Sequence, residues 1–254
     1  MRNNNNLPYI KFLKIIFSIV VILSAWEIFA LIVNDDYFLP DVFVTLRSLL
    51  NVLTSGSFFK VILTSVYRVI LGLLLATVSG ILIAVLCHKF ELLNTVLSPI
   101  VSIMKATPVA CIIVLLWIRL NYTQIAVFVV VLMVLPVIWQ NVYNGLKAID
   151  KNLAEVADVF ELTRAKRLTA LVIPSILAYL LPALVTSVGL AWKAEVAAEI
   201  MTNSNMGKLI YDFKTVSYDT ASIFAWTVVI VVLSIVFEVI TKRLLRRAIN
   251  ELTA

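Results

Sequence analysis

Apolar residues gather along the chain in six long runs, separated by shorter segments where charged and polar residues concentrate. A helix needs about 20 apolar residues to cross the roughly 30 Å hydrocarbon core of a bilayer. Runs of that length lie at 12–33, 61–86, 92–118, 124–143, 172–197 and 221–241, and each reads as a spanning helix. The first is longer than a signal-peptide core and no small-residue cleavage site follows it, so it reads as retained. Two separating segments have patterns of their own. In PDVFVTLRSLLNVLT at 40–54, Pro40 and Asp41 form a helix start. Val42, Leu46, Leu49, Leu50 and Leu53 follow at helical spacing, which predicts a short amphipathic helix on the outer surface. Residues 201–220, MTNSNMGKLIYDFKTVSYDT, open polar and turn-rich, as suits a segment lying over the mouth of a pathway.

Composition agrees with the pattern. Of 254 residues, 62% are hydrophobic and only 14% charged, with mean hydropathy +1.03. A soluble domain carries roughly 25% charged residues, so a water-soluble core cannot absorb this excess. The expectation is an all-α membrane protein, one domain over 1–254 with six transmembrane helices. The net charge of +6 sits mainly between the apolar runs, which points to membrane orientation and lipid rather than nucleic acid. With the N-terminus inside, the inner segments hold thirteen Lys and Arg, counting Arg2, and the outer segments five. That bias predicts both termini cytoplasmic.

The same orientation puts a dense charged stretch, EVADVFELTRAKRLTALVIPS from Glu155, in the cytoplasm within a loop at 144–171. Read as a helix over 152–162, it brings Leu153, Val156, Ala157 and Phe160 onto one face, flanked by Glu155, Asp158 and Glu161. An apolar stripe with an acidic rim suits a groove on a partner protein better than an anionic lipid surface.

These residues carry a resemblance. Glu155-Val156-Ala157, followed after a fixed spacing by Leu171-Val172-Ile173-Pro174, resembles the pattern E-A-A-x₃-G-x₉-I-x-L-P of membrane subunits of ATP-binding-cassette importers. Glu161 stands where that pattern has glycine. LPDVFVTLRSLL, SVYRVILGLLLATVSG at 65–80, KATPVACIIVLLWI at 105–118 and AWKAEVAAEI at 191–200 are similar to the nitrate, sulfonate, taurine and pyrimidine-precursor branch. The resemblance spans about Trp26 to Arg247. It implies a type I importer permease fold in a bacterial inner membrane, two permease copies around a pathway, cytoplasmic ATPase partners and an extracytoplasmic substrate-binding protein. It also implies that Glu155, Val156, Ala157, Asp158, Phe160, Glu161, Arg164 and Pro174 meet the ATPase. The chain has no Walker sequence, so it holds no cofactor of its own, and ATP and magnesium belong to that partner. Pro174 fixes the backbone where the loop joins the next span. The substrate expected from this branch is a small organic or inorganic anion or a heterocyclic precursor.

Charges within the runs include Glu27, Arg68, Lys105, Lys193, Glu195 and Glu199. Such residues face a protein interior or a water-filled cavity. Lys193 and Glu195 are two apart and point to nearly opposite sides, while Glu195 and Glu199 share a face that needs a base, Arg68 or Lys105, from elsewhere. These groups either pair between helices or line the pathway. The resemblance places the span of Lys193 beside the pathway, where a cation suits an anionic solute. Lys105 lies just before Thr107-Pro108, a proline able to kink its span toward the pathway. Trp117, Trp139, Trp192 and Trp226 fall near estimated span ends and predict an interfacial belt.

A stand-alone secondary transporter or channel would also have six spans and interior charges, but would leave the loop at 155–174 unexplained and shows no internal duplication. A membrane enzyme lacks a site. His88 reads as a loop residue, and Cys87 and Cys111 have no metal spacing and could form at most one disulfide.

Overall fold

A computed structural model describes residues 8–253, which are helical with no strand among them; Arg2 and the Asn3–Asn6 tract lie outside the described residues. The helices are α1 (Pro8–Val33), α2 (Val42–Thr54), α3 (Phe58–Lys89), α4 (Glu91–Ala106), α5 (Val109–Trp117), α6 (Tyr122–Lys147), α7 (Lys151–Val159), α8 (Arg164–Arg167), α9 (Ile173–Met201), α10 (Asn205–Thr215) and α11 (Thr220–Thr253), with a π-turn at Leu168–Val172. They form two compact units, one of residues up to Phe58 with Leu209–Ile230, the other of Phe59–Lys208 with the chain from Val231 onward.

In the first unit α1 is held to α2 at one corner. Trp26 Nε1 donates to the Pro40 carbonyl at 3.1 Å, and the Val42 amide donates to Glu27 Oε2 at 2.9 Å. The expected start of α2 is correct, but Asp41 makes no side-chain cap. Glu27 caps α2 instead, so this in-span charge satisfies one of the amides that every helix N-terminus leaves open. The buried face of α2 is Val42, Thr45 and Val52, whereas Leu46, Leu50 and Leu53 stay exposed, as a helix lying in an interface requires.

In the second unit α6 is the central post. Its Ile125, Val129, Val130, Val134, Ile138 and Val142 are fully enclosed. Gly72, Ala76, Gly80 and Ala84 form a row of small residues on α3. A Cβ on Gly72 would lie 2.5 Å from Val130 Cγ1, and one on Gly80 would lie 2.9 Å from Ile138 Cγ2, so the small row lets α3 close on α6. Without a hydrophobic drive between helices in lipid, such close backbone approach is what holds spans together. Gly145 does the same for α9, since a Cβ there would lie 2.9 Å from the Ser175 carbonyl oxygen.

Among the described residues five helices are long and apolar enough to cross a membrane on their own, and six spans result if α4 and α5 count as one. The expected continuous span at 92–118 is instead two helices bent by 94°. Thr107 and Pro108 are extended, and the proline lacks the amide needed to continue α4. The tryptophan belt also fails. Trp117 is exposed, but Trp139, Trp192 and Trp226 are buried. Trp139 stacks on Tyr143 and Trp192 packs on Phe237, so these rings fill helix contacts. Both cysteines are free thiols, and His88 lies in the last turn of α3.

Candidate functional site

Two groups of residues stand out, both in the second unit. The first is the segment between α6 and α9. Asp150 caps α7 by accepting the Asn152 amide at 2.8 Å. The helix ends at Phe160, and Glu161 takes φ +48°. The Leu162 amide then donates to the Ala157 carbonyl and the Glu161 amide to the Asp158 carbonyl, both at 3.0 Å. This pair of bonds is the turn in which helices commonly place glycine. The sharp bend is therefore made with glutamate in the left-handed position.

Thr163 opens α8 by accepting the Lys166 amide at 3.4 Å, and Arg167 pairs with Asp158 across the bend. The π-turn follows, with the Ile173 amide reaching back to Leu168 O. Pro174, exposed in the first turn of α9, cannot donate, and its ring would crowd the Ala170 carbonyl of a regular α-helix; widening to a π-turn relieves both. From Arg164 to Met201 the helix is nonetheless one continuous apolar rod of 38 residues.

Glu155, Asp158, Glu161 and Arg164 are exposed, as expected. The apolar face is only partly the expected one. Leu153, Val156 and Phe160 point outward at 53%, 49% and 72% exposure, but Ala157 is buried at 3%. Val159, the most exposed at 81%, falls outside the i, i+3, i+4, i+7 row and so is not marked by periodicity.

The second group is a buried charge cluster. Ser65 and Arg68 lie one turn apart on α3, and Glu195 and Glu199 one turn apart on α9. Glu199 Oε1 accepts from Arg68 Nη1 at 2.8 Å, Ser65 Oγ at 2.8 Å and Asn205 Nδ2 at 2.9 Å, while its Oε2 accepts the Met206 amide at 3.0 Å. Arg68 Nη2 donates to Thr123 Oγ1 on α6 at 3.1 Å, with the guanidinium over the Tyr122 ring. Glu195 Oε1 is 3.9 Å from Arg68 Nη1 and neither of its oxygens has a hydrogen-bond partner among the described residues.

A corner in the chain makes this possible. Asn203 and Asn205 both take positive φ, which asparagine tolerates, and the Ser204 amide closes on the Glu199 carbonyl at 3.0 Å. Gly207 then passes so near that a Cβ there would lie 2.1 Å from the Glu199 carbonyl carbon. Sequence spacing brings Glu195 and Glu199 to one face and Ser65 to that of Arg68. It does not reveal Thr123, Asn205 or Gly207, which arrive from other elements. Lys105 and Lys193 are not in this cluster; both are exposed.

The family of binding-protein-dependent transport system inner membrane components matches residues 76–250. The chain is 24% identical over 233 residues to a protein of Bacillus subtilis named as the aliphatic sulfonates transport permease SsuC, covering 91% of this chain and 84% of that one. It is 26% identical over 227 residues to the nitrate import permease NrtB of Synechococcus elongatus, covering 85% and 81%. Over 156 residues it is 29% identical to the bicarbonate transport system permease CmpB of the same species, covering 61% and 56%. Among solved structures, the inward-facing MetNI methionine ABC transporter matches at TM-score 0.59 with 16% identity, covering 76% of this chain and 99% of that one. An amino acid ABC transporter crystallised with histidines matches at 0.57 with 18% identity, covering 73% and 88%.

Proposed function

This chain belongs to the family of binding-protein-dependent transport system inner membrane components, and on that premise we propose that helix α7 is where an ATPase partner drives it. As a family member it is the non-catalytic membrane subunit of an ATP-binding-cassette importer, seated in the inner membrane, with ATP hydrolysis in a separate chain. The rival reading as a stand-alone carrier falls with the family match.

One observation carries the coupling proposal. Leu153, Val156, Val159, Phe160 and Leu162 are apolar and outward on a helix and bend whose other outward residues are charged or polar. Left in water such a row is a liability, and a groove on a partner protein would cover it. Phe160, the large aromatic at the bend, is the anchor, with Glu155, Asp158, Glu161 and Arg164 at the rim. Asp158 is already paired with Arg167, so Glu155 and Glu161 are the acids left for the partner. With both termini cytoplasmic, α7 lies in the cytosol, and ATP and magnesium reside in the partner.

Two copies of the chain enclose the pathway in this proposal, and a separate external protein delivers the solute. Arg68, Glu195 and Glu199 hold α3, α6 and α9 together and do not touch the solute. The elbow at Thr107–Pro108, with Lys105 one turn before it, belongs beside the pathway, because open backbone at membrane depth is tolerated only against protein or water. The names of the relatives, which concern sulfonates, nitrate and bicarbonate, support a small anion as the solute.

The test is purification of the chain with its ATPase from membranes carrying Phe160→Ala or Glu155→Lys. Both variants should stay in the membrane with unchanged thermal stability. ATPase recovery should fall, by roughly 30-fold in affinity for an anchor worth about 2 kcal/mol. Wild-type recovery and wild-type ATPase stimulation in both would refute the proposal.

A further inference from the structure

Helix α9 has two unlike sides. One carries Ala191, Trp192, Ala194, Glu195, Ala198 and Glu199, all buried. The other carries Thr186, Gly189, Lys193 and Ile200, whose spacings of three, four and seven place them on one face. Thr186, Lys193 and Ile200 are exposed there, and a Cβ added to Gly189 would meet nothing within 4 Å. Lys193 lies eight residues, about 12 Å of helix, inside the Met201 end.

No hydrogen bond or ion pair joins Lys193 to any described residue. Glu195 and Glu199 are committed to Arg68 on the far side of the helix, and Glu238 on α11 forms no ion pair with Lys193. A lysine within a span faces protein or water rather than hydrocarbon. The protein side of α9 is already filled. Open space beside Gly189 and an ammonium one turn away with no ion pair among the described residues leave a cationic face that this chain does not cover.

We infer that the Thr186–Gly189–Lys193 face of α9 lines the pathway and that Lys193 is its anion-binding side chain, taking a small solute with a carboxylate, sulfonate or inorganic oxyanion group. This deepens the permease reading and rests on it. Lys193 acts as a point charge, which suits a tumbling small anion better than the fixed fork of an arginine.

The test uses the full chain with its ATPase in membrane vesicles and needs no knowledge of the solute. Cys111→Ser removes the exposed native thiol, and buried Cys87 stays in place. Gly189→Cys, with Thr186→Cys as second reporter, is then treated with anionic and cationic methanethiosulfonates of matched size. Both water-borne reagents should react, the anionic one favoured by about tenfold from one nearby charge. Lys193→Gln should abolish that preference and Lys193→Glu reverse it. Reaction only with a lipid-soluble maleimide would show a lysine reaching to headgroups, and a preference indifferent to Lys193 would show no anion site; either overturns the inference. If these fail while the ATPase still co-purifies, the permease reading stands and only the anion site falls. If the ATPase does not co-purify, the permease reading itself fails.

Discussion

Arg68 Nη1 lies 2.8 Å from Glu199 Oε1 but 3.9 Å from Glu195 Oε1, so two acids on one face of α9 hold unequal shares of one base. Glu199 also accepts three further hydrogen bonds, whereas Glu195 accepts none from the described residues. Removing one partner of a buried pair strands the other, at a cost of about 3–5 kcal/mol. Arg68→Ala and Glu199→Gln should each lower the thermal midpoint in detergent sharply. Glu195→Gln should cost less than about 1 kcal/mol, because it keeps the shape and breaks no hydrogen bond. Equal losses from the two glutamine variants would contradict this ranking.

At the bend after α7, Glu161 occupies a backbone region that costs an L-residue about 1 kcal/mol relative to glycine. Glu161→Gly should recover about 0.5–1 kcal/mol of local stability. Hydrogen exchange would report it as slower exchange at the Leu162 amide, which closes the bend. Unchanged or faster exchange there would mean that the bend is not strained.

Gly207 and Gly56 make a matched pair. Alanine at 207 would drive a Cβ into the Glu199 backbone, while alanine at 56 would meet nothing within 4 Å. Gly207→Ala should therefore prevent recovery of folded protein, and Gly56→Ala should change the midpoint by no more than about 0.5 kcal/mol allows. A well-folded Gly207→Ala variant would show that the α9–α10 corner differs from the one described.

Glu27 accepts the Val42 amide, and Glu27→Ala should loosen the start of α2 by about 1 kcal/mol. Limited proteolysis near residues 39–45 would detect it. Glu27→Gln, which retains an acceptor, should restore much of the protection.

These relationships divide into those a linear chain reveals and those it does not. Six apolar runs are legible because bilayer thickness sets their length. Leu153, Val156 and Phe160 on α7 are legible because helical periodicity is local, whereas Val159 falls off that row and the burial of Ala157 depends on tertiary packing. Glu195 and Glu199 share a face by counting, yet counting cannot choose between Arg68 and Lys105, since that depends on which helix α9 meets. The elbow at Pro108 reads only as a kink, because proline ends a helix without fixing the angle at which the next begins. Trp139, Trp192 and Trp226 mislead because a position near a span end is equally open to lipid and to a neighbouring helix. Val42 gives no hint that its amide is served by a carboxylate fifteen positions earlier.

The unbroken helix from Arg164 to Met201 has a geometric consequence. At 1.5 Å per residue it is about 55 Å long, so a pivot of about five degrees at its Arg164 foot sweeps its distal tip through about 5 Å. That tip is clasped by Gly207 and anchored through Glu199 to α3 and α6. An ångström-scale nudge at the foot is therefore magnified where the spans are stitched together, and the stitching decides whether neighbouring spans follow the swing or resist it.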